Sequence, residues 1–194
     1  MIRYSAITVL LLLAAFLLQQ FLPAFTGLYH SRILLVQLVF LCCAVTVSQP
    51  VMLLLAFIAG FLWDAQYALG PHGGDPATYT QQVENLRFGY SILLFGGMGF
   101  LMLGIQPLFR QGYWQLSAAL SGVSIFLYLI AEYSIICFVR GGFFISRPTL
   151  LMILFSSLLT MLFSPFLFRA LDRIADFFGH SLQPEINRRR RRPS

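Results

Sequence analysis

The chain has 194 residues, 58% of them hydrophobic and only 10% charged, with a mean hydropathy of +0.79. Soluble domains carry about 25% charged residues, so this inventory cannot clothe a water-facing surface, and the length suits one membrane domain with a short tail, without a separate soluble catalytic domain. The formal charge of +6 comes from arginine alone, with five of the 13 basic residues in the run Arg188 to Arg192; this speaks of topology and lipid contact, not of nucleic acid.

Six apolar blocks follow one another, each long enough to cross a hydrocarbon core of roughly 30 Å as a helix. The first runs from about Ser5 to Leu22 and stops at Pro23. Arg3 gives it a basic start, but it exceeds the usual ~7–15 residues of a signal-peptide core, and Pro23-Ala24-Phe25-Thr26-Gly27 lacks an Ala-x-Ala cleavage pattern, so a retained span is expected. The second runs from about Arg32 to Ser48 and ends at Gln49-Pro50; the third runs from Val51 to about Leu69. A break from Gly70 to Arg87, punctuated by Pro71, Gly73-Gly74 and Asp75-Pro76, reads as loop, with a short interfacial helix over Thr80 to Leu86. The fourth block, Phe88 to Ile105, is ended by Gln106-Pro107; the fifth is about Tyr113 to Val139, and the sixth Thr149 to Phe168. The blocks are continuously apolar and do not alternate, which favours helices over a membrane barrel. The expected fold is therefore an all-α bundle of six transmembrane helices over residues 1–178, followed by a basic tail over 179–194.

Arginine placement orients this bundle. With the N-terminus cytoplasmic, Arg3, Arg110, Arg169, Arg173 and the tail run Arg188, Arg189, Arg190, Arg191 and Arg192 lie inside, while Arg32, Arg87, Arg140 and Arg147 lie outside; nine against four places both termini in the cytoplasm. The tail arginines would attract anionic lipid by about 1 kcal/mol each near the surface, or act only as a topogenic signal.

The residues that stand out are polar groups inside apolar blocks. Asp64, in Gly60-Phe61-Leu62-Trp63-Asp64, and Glu132 are ionisable groups at or near membrane depth, where the cost is on the order of 3 kcal/mol at a helix centre. Asp64 is either a boundary residue meeting headgroup water or one that fixes the local backbone or a partner contact. Ser117, Ser121, Ser124, Tyr128 and Glu132 recur at spacings of four, three, four and four, a polar seam along one helical face. Such a seam should face the bundle, because unpaired hydroxyls in hydrocarbon cost free energy; it serves either helix packing or a ligand or partner. Ser156, Thr160 and Ser164 give the sixth block a small face, and Gly96, Gly97, Gly99 and Gly104 suggest close helix approach in the fourth.

Chemistry of other kinds finds little footing. Cys42, Cys43 and Cys137 form no Cys-x-x-Cys and read as small apolar fillers. His30, His72 and His180 lie in breaks or the tail, and His72 with Asp75 amounts to a turn. There is no metal-ligand spacing, nucleophile elbow, phosphate-binding glycine loop or His-Glu-x-x-His. Neither an enzyme activity nor a cofactor is expected, since Asp64 and Glu132 in separate blocks do not make a catalytic pair.

Gly60-Phe61-Leu62-Trp63-Asp64 followed by Leu69-Gly70 resembles the rod-shape-determining membrane proteins of the MreD family. The resemblance extends in order to the Pro23 break, Gln106-Pro107-Leu108-Phe109, Ala131-Glu132-Tyr133, and Pro165-Phe166-Leu167-Phe168-Arg169-Ala170-Leu171-Asp172-Arg173; the loop from Pro71 to Arg87 extends beyond that pattern. It implies a non-catalytic scaffold of the bacterial cell-wall elongation complex in the inner membrane. The implied partners are the bitopic protein MreC, the cytoskeletal protein MreB, and the glycan polymerase RodA with its penicillin-binding transpeptidase. The family fold is also similar to the substrate-binding subunits of energy-coupling-factor vitamin transporters, which supplies a rival reading. Those subunits carry Ala-x-x-x-Ala in the first span, a spacing that Ala6, Ala14 and Ala15 do not give. A lipid or glycan-intermediate transporter is a weaker third reading, because charged residues to line a path are few.

Overall fold

A computed structural model describes residues 2–23, 25–29, 31–68, 89–110, 114–139 and 146–177. Gly70, the loop to Arg87 and the arginines Arg188 to Arg192 lie outside the described residues. The rest is all-α: α1 (Ile2–Gln19), α2 (Leu35–Thr46), α3 (Gln49–Ala68), α4 (Tyr90–Arg110), α5 (Trp114–Val139) and α6 (Arg147–Phe177). Four of these, α3 to α6, are long and apolar enough to cross a membrane, the signature of a membrane protein.

The second element departs most from the sequence expectation. A span over Arg32 to Ser48 becomes a helix of 12 residues, about 18 Å at ~1.5 Å per residue, too short to cross a bilayer. Every residue of α2 from Val36 to Thr46 is buried, because α1, α3, α4, α5 and α6 all pack around it. It is an axis, not a wall. Phe40 makes an edge-on contact with Phe95 of α4 at 5.1 Å, and Phe95 in turn meets Tyr128 of α5 at 5.5 Å.

The backbone over 31–34 is irregular, and its polar groups are met by side chains from both ends of the chain. Arg32 N–H donates to Ser156 Oγ at 3.2 Å and Leu34 N–H to Thr160 Oγ1 at 3.1 Å. From α1, Gln19 accepts from Leu35 N–H at 2.6 Å and donates to the Ile33 carbonyl at 2.8 Å. The other end of α2 is held similarly: Gln106 Nε2 donates to the carbonyls of Val45 at 2.9 Å and Val47 at 3.2 Å. Irregular backbone survives at membrane depth only when protein surrounds it and completes its hydrogen bonds.

One expected stop proves permeable, and one helix outruns its expected end. α4 continues through Pro107 to Arg110, and α6, expected to end at Phe168, runs through Pro165 and on to Phe177. A proline removes one backbone bond and crowds the preceding turn, but packing outweighs it. In α6 the apolar face simply goes on, with Phe168, Leu171 and Ala175 buried at spacings of three and four.

The tightest helix approach is α3 against α4, at Gly60. A Cβ there would lie 2.8 Å from the Ser91 carbonyl carbon and closer still to the backbone of Ile92. The glycines of α4 behave differently from expectation. Gly99 packs on Met52 and Phe40, but Gly96, Gly97 and Gly104 have nothing within 4 Å of where a Cβ would stand. The close approach uses the glycine of α3, not those of α4.

Two consequences are measurable by thermal unfolding in detergent. Gly60→Ala should destabilise the protein by about 1–3 kcal/mol or more, since backbone must move, while Gly97→Ala should leave stability unchanged or raise it. Gln19→Leu strands one N–H and one carbonyl, at a cost of roughly 1–3 kcal/mol each; Gln19→Glu, which keeps the acceptor, should fall between.

Candidate functional site

The serine seam of α5 is spent inside the bundle. Ser117, Ser121, Ser124 and Tyr128 are all buried. Ser121 shares a hydrogen bond with Ser164 of α6 at 2.9 Å and also donates toward the carbonyls of Ser117 and Ala118. Ser124 reaches the sulfur of Met102 on α4 at 3.6 Å. On α6, Ser156 and Thr160 accept from the lead-in to α2, and the Thr160 hydroxyl donates to the Ser156 carbonyl at 2.6 Å. Ser164 also faces the Cys42 thiol. These residues join helices to each other, as a polar seam in an apolar bundle must.

Asp64 is buried near the end of α3, and its Oδ2 accepts the backbone N–H of Gly89 at 2.6 Å. Gly89 immediately precedes α4 with φ +103°, a conformation open to glycine and strained for other residues. A carboxylate there satisfies an unpaired donor at a helix start and meets the positive end of the helix dipole. The aspartate therefore fixes backbone, closing α3 onto α4 four residues beyond the Gly60 contact.

Glu132 continues the seam, but half-buried, and meets a different set of groups. Its carboxyl lies within electrostatic range of Asp64 and faces the Trp63 indole. Trp63 is itself buried and packs edge-on against Phe16 of α1 at 6.2 Å. The two carboxylates that the sequence placed in separate blocks thus come together at one end of the bundle. No nucleophile joins them in the bonds described, and among the described residues no three His, Cys, Asp or Glu side chains gather as a metal site.

Gln37 is a further buried polar residue, on α2. It is 0% exposed, and neither its Oε1 nor its Nε2 has a hydrogen-bond partner among the described residues. A buried amide group left so costs about 1–3 kcal/mol per atom. Its direction follows from the contacts of α2. Phe40 faces α4, Cys42 faces Ser164 of α6, and Cys43 and Thr46 lie on the side of Tyr4 of α1. At about 100° per residue, Gln37 lies roughly 60° round from Phe40 on the arc away from α1. Gln37 is also one turn on from Phe40, as Glu132 is one turn on from Tyr128. Both steps lead to the same end, where α2 begins and α5 ends.

Sequence reasoning singled out Asp64 and Glu132 but missed Gln37, Trp63 and Gly89. Glutamine inside an apolar block was the available signal, and it also marks Gln19 and Gln106. Arg169 and Arg173 are exposed on the last turns of α6, away from this layer.

Replacing Asp64 separates charge from geometry. Asp64→Ala should lower the melting temperature by removing the Gly89 bond, a loss of about 1–3 kcal/mol, whereas Asp64→Asn keeps an acceptor and should retain most of the stability.

No protein-family model, no curated protein and no solved structure matches the chain.

Proposed function

We propose that the protein is a non-catalytic membrane scaffold of the bacterial cell-wall elongation complex, docking the transmembrane helix of MreC and through it helping to position RodA and the transpeptidase. One observation carries the reading: the hydroxyls of Ser121, Ser124, Ser156, Thr160 and Ser164 are consumed between elements of the bundle, while an unused glycine face looks outward. Gly97 and Gly104 are exposed on α4, one heptad apart, flanked by Leu93, Phe100 and Leu101, all exposed. Glycine lets a second backbone come close in lipid, where van der Waals packing drives association. The Gly60 and Asp64 motif supports the reading from the other side, because it holds α4 in place through α3. The exposed Arg169 and Arg173 suit an anionic cytoplasmic leaflet.

The test is capture of MreC from native membranes by tagged protein. Gly97→Ile with Gly104→Ile should abolish capture with the melting temperature unchanged. Full capture by that variant would remove α4 as the docking face. If the unaltered protein captures no MreC and its depletion leaves cell shape intact, the scaffold reading fails.

A further inference from the structure

We propose that the N-terminus of α2 binds a chloride ion inside the bundle, held by the backbone N–H groups of Val36 and Gln37 and the side-chain amide of Gln37. The first N–H groups of any helix lack partners within it. At α2 the first is met, because Leu35 donates to Gln19 Oε1 at 2.6 Å. Those of Val36 and Gln37 meet no partner among the described residues, although both residues are 0% exposed. Buried main-chain donors are seldom left so.

The second, independent observation is the Gln37 side chain, whose Oε1 and Nε2 are both buried and unpartnered. Helical side chains tilt back toward the N-terminus of their own helix. Gln37 is the third residue of α2, the position from which a glutamine reaches the helix end in a capping box. The groups of such a box are not there to receive it. Leu34, at the cap, has no side chain to offer, and its N–H is taken by Thr160 Oγ1. The amide therefore stands at the same end as the two orphan N–H groups. Ser31 adds a buried hydroxyl without a partner. The lead-in ties Arg32 to Ser156 and Leu34 to Thr160, one turn of α6 apart, so it extends the line of α2 and places Ser31 beyond the helix end.

The donors fix the chemistry of the occupant. Main-chain N–H groups, an amide and a hydroxyl at the positive end of a helix dipole favour an anion and disfavour a cation. The position is also enclosed, since Ile33, Leu34, Val36 and Leu38 are all buried. A phosphate or carboxylate carried on a larger molecule does not fit such a place; a single atom does. An ordered water would meet the same donors without responding to salt, and the experiment separates the two.

The full chain is purified in detergent in sodium gluconate, and chloride replaces gluconate stepwise at constant sodium concentration. Chlorine NMR line width and melting temperature are read together. Saturable broadening that bromide reverses is expected, with a melting temperature that rises over the same concentrations. Gln37→Leu should fold, match or exceed the unaltered protein's melting temperature in gluconate, and bind chloride at least about tenfold more weakly. Ser31→Ala should weaken binding in the same direction and leave the fold intact. A line that bromide does not narrow, or melting curves in chloride that coincide with those in gluconate, would overturn the proposal in favour of water. So would an unaltered chloride response in Gln37→Leu or, where that variant fails to fold, in Ser31→Ala.

Discussion

The architecture depends on one constraint: a helix too short to cross a membrane occupies the middle of the bundle, and the polar groups of the backbone at its two ends must be satisfied by protein. Water cannot be relied on at that depth, and an unmet N–H or carbonyl there costs several kcal/mol. The chain answers with four side chains drawn from three other helices, Gln19, Gln106, Ser156 and Thr160. Each is an amide or hydroxyl, neutral and able to reach a main-chain group without carrying charge into the core. The positions of α1, α4 and α6 around α2 follow from those bonds as much as from apolar packing.

Polar residues in this protein therefore fall into two populations. One is spent on structure: the serines of α5, the small face of α6, the glutamines at the ends of α2, and Asp64 on the start of α4. The other is Gln37, whose buried amide atoms meet no partner among the described residues. A scaffold needs only the first population.

The periodic apolar blocks made the helical class legible, because continuous runs at that length have few other outcomes. The α5 seam was legible too, since its spacing placed Ser117, Ser121, Ser124 and Tyr128 on one face that had to turn inward. The nature of α2 was hidden: its residues are as apolar as those of a lipid-facing span, and hydropathy cannot distinguish burial in protein from burial in lipid. Pro107 misled for a related reason. Local backbone preference disfavours it inside a helix, but the packing that overrides that preference is tertiary. The meeting of Asp64 with Glu132 was beyond sequence reading, since it arises from the juxtaposition of α3 and α5 in space. The glycines of α4 suggested close approach, and only a view of their surroundings shows that three of the four face open space.

The bonds from Ser156 and Thr160 to the lead-in of α2 join positions separated by 124 and 126 residues. During synthesis, the segment around Leu34 emerges long before α6 exists. Until then its amide hydrogens require substitute partners, whether water at the bilayer margin or a helper protein sheltering the unfinished bundle. The centre of this membrane domain is thus completed from its far end, and the ribosome must deliver α6 before the earliest helices can settle.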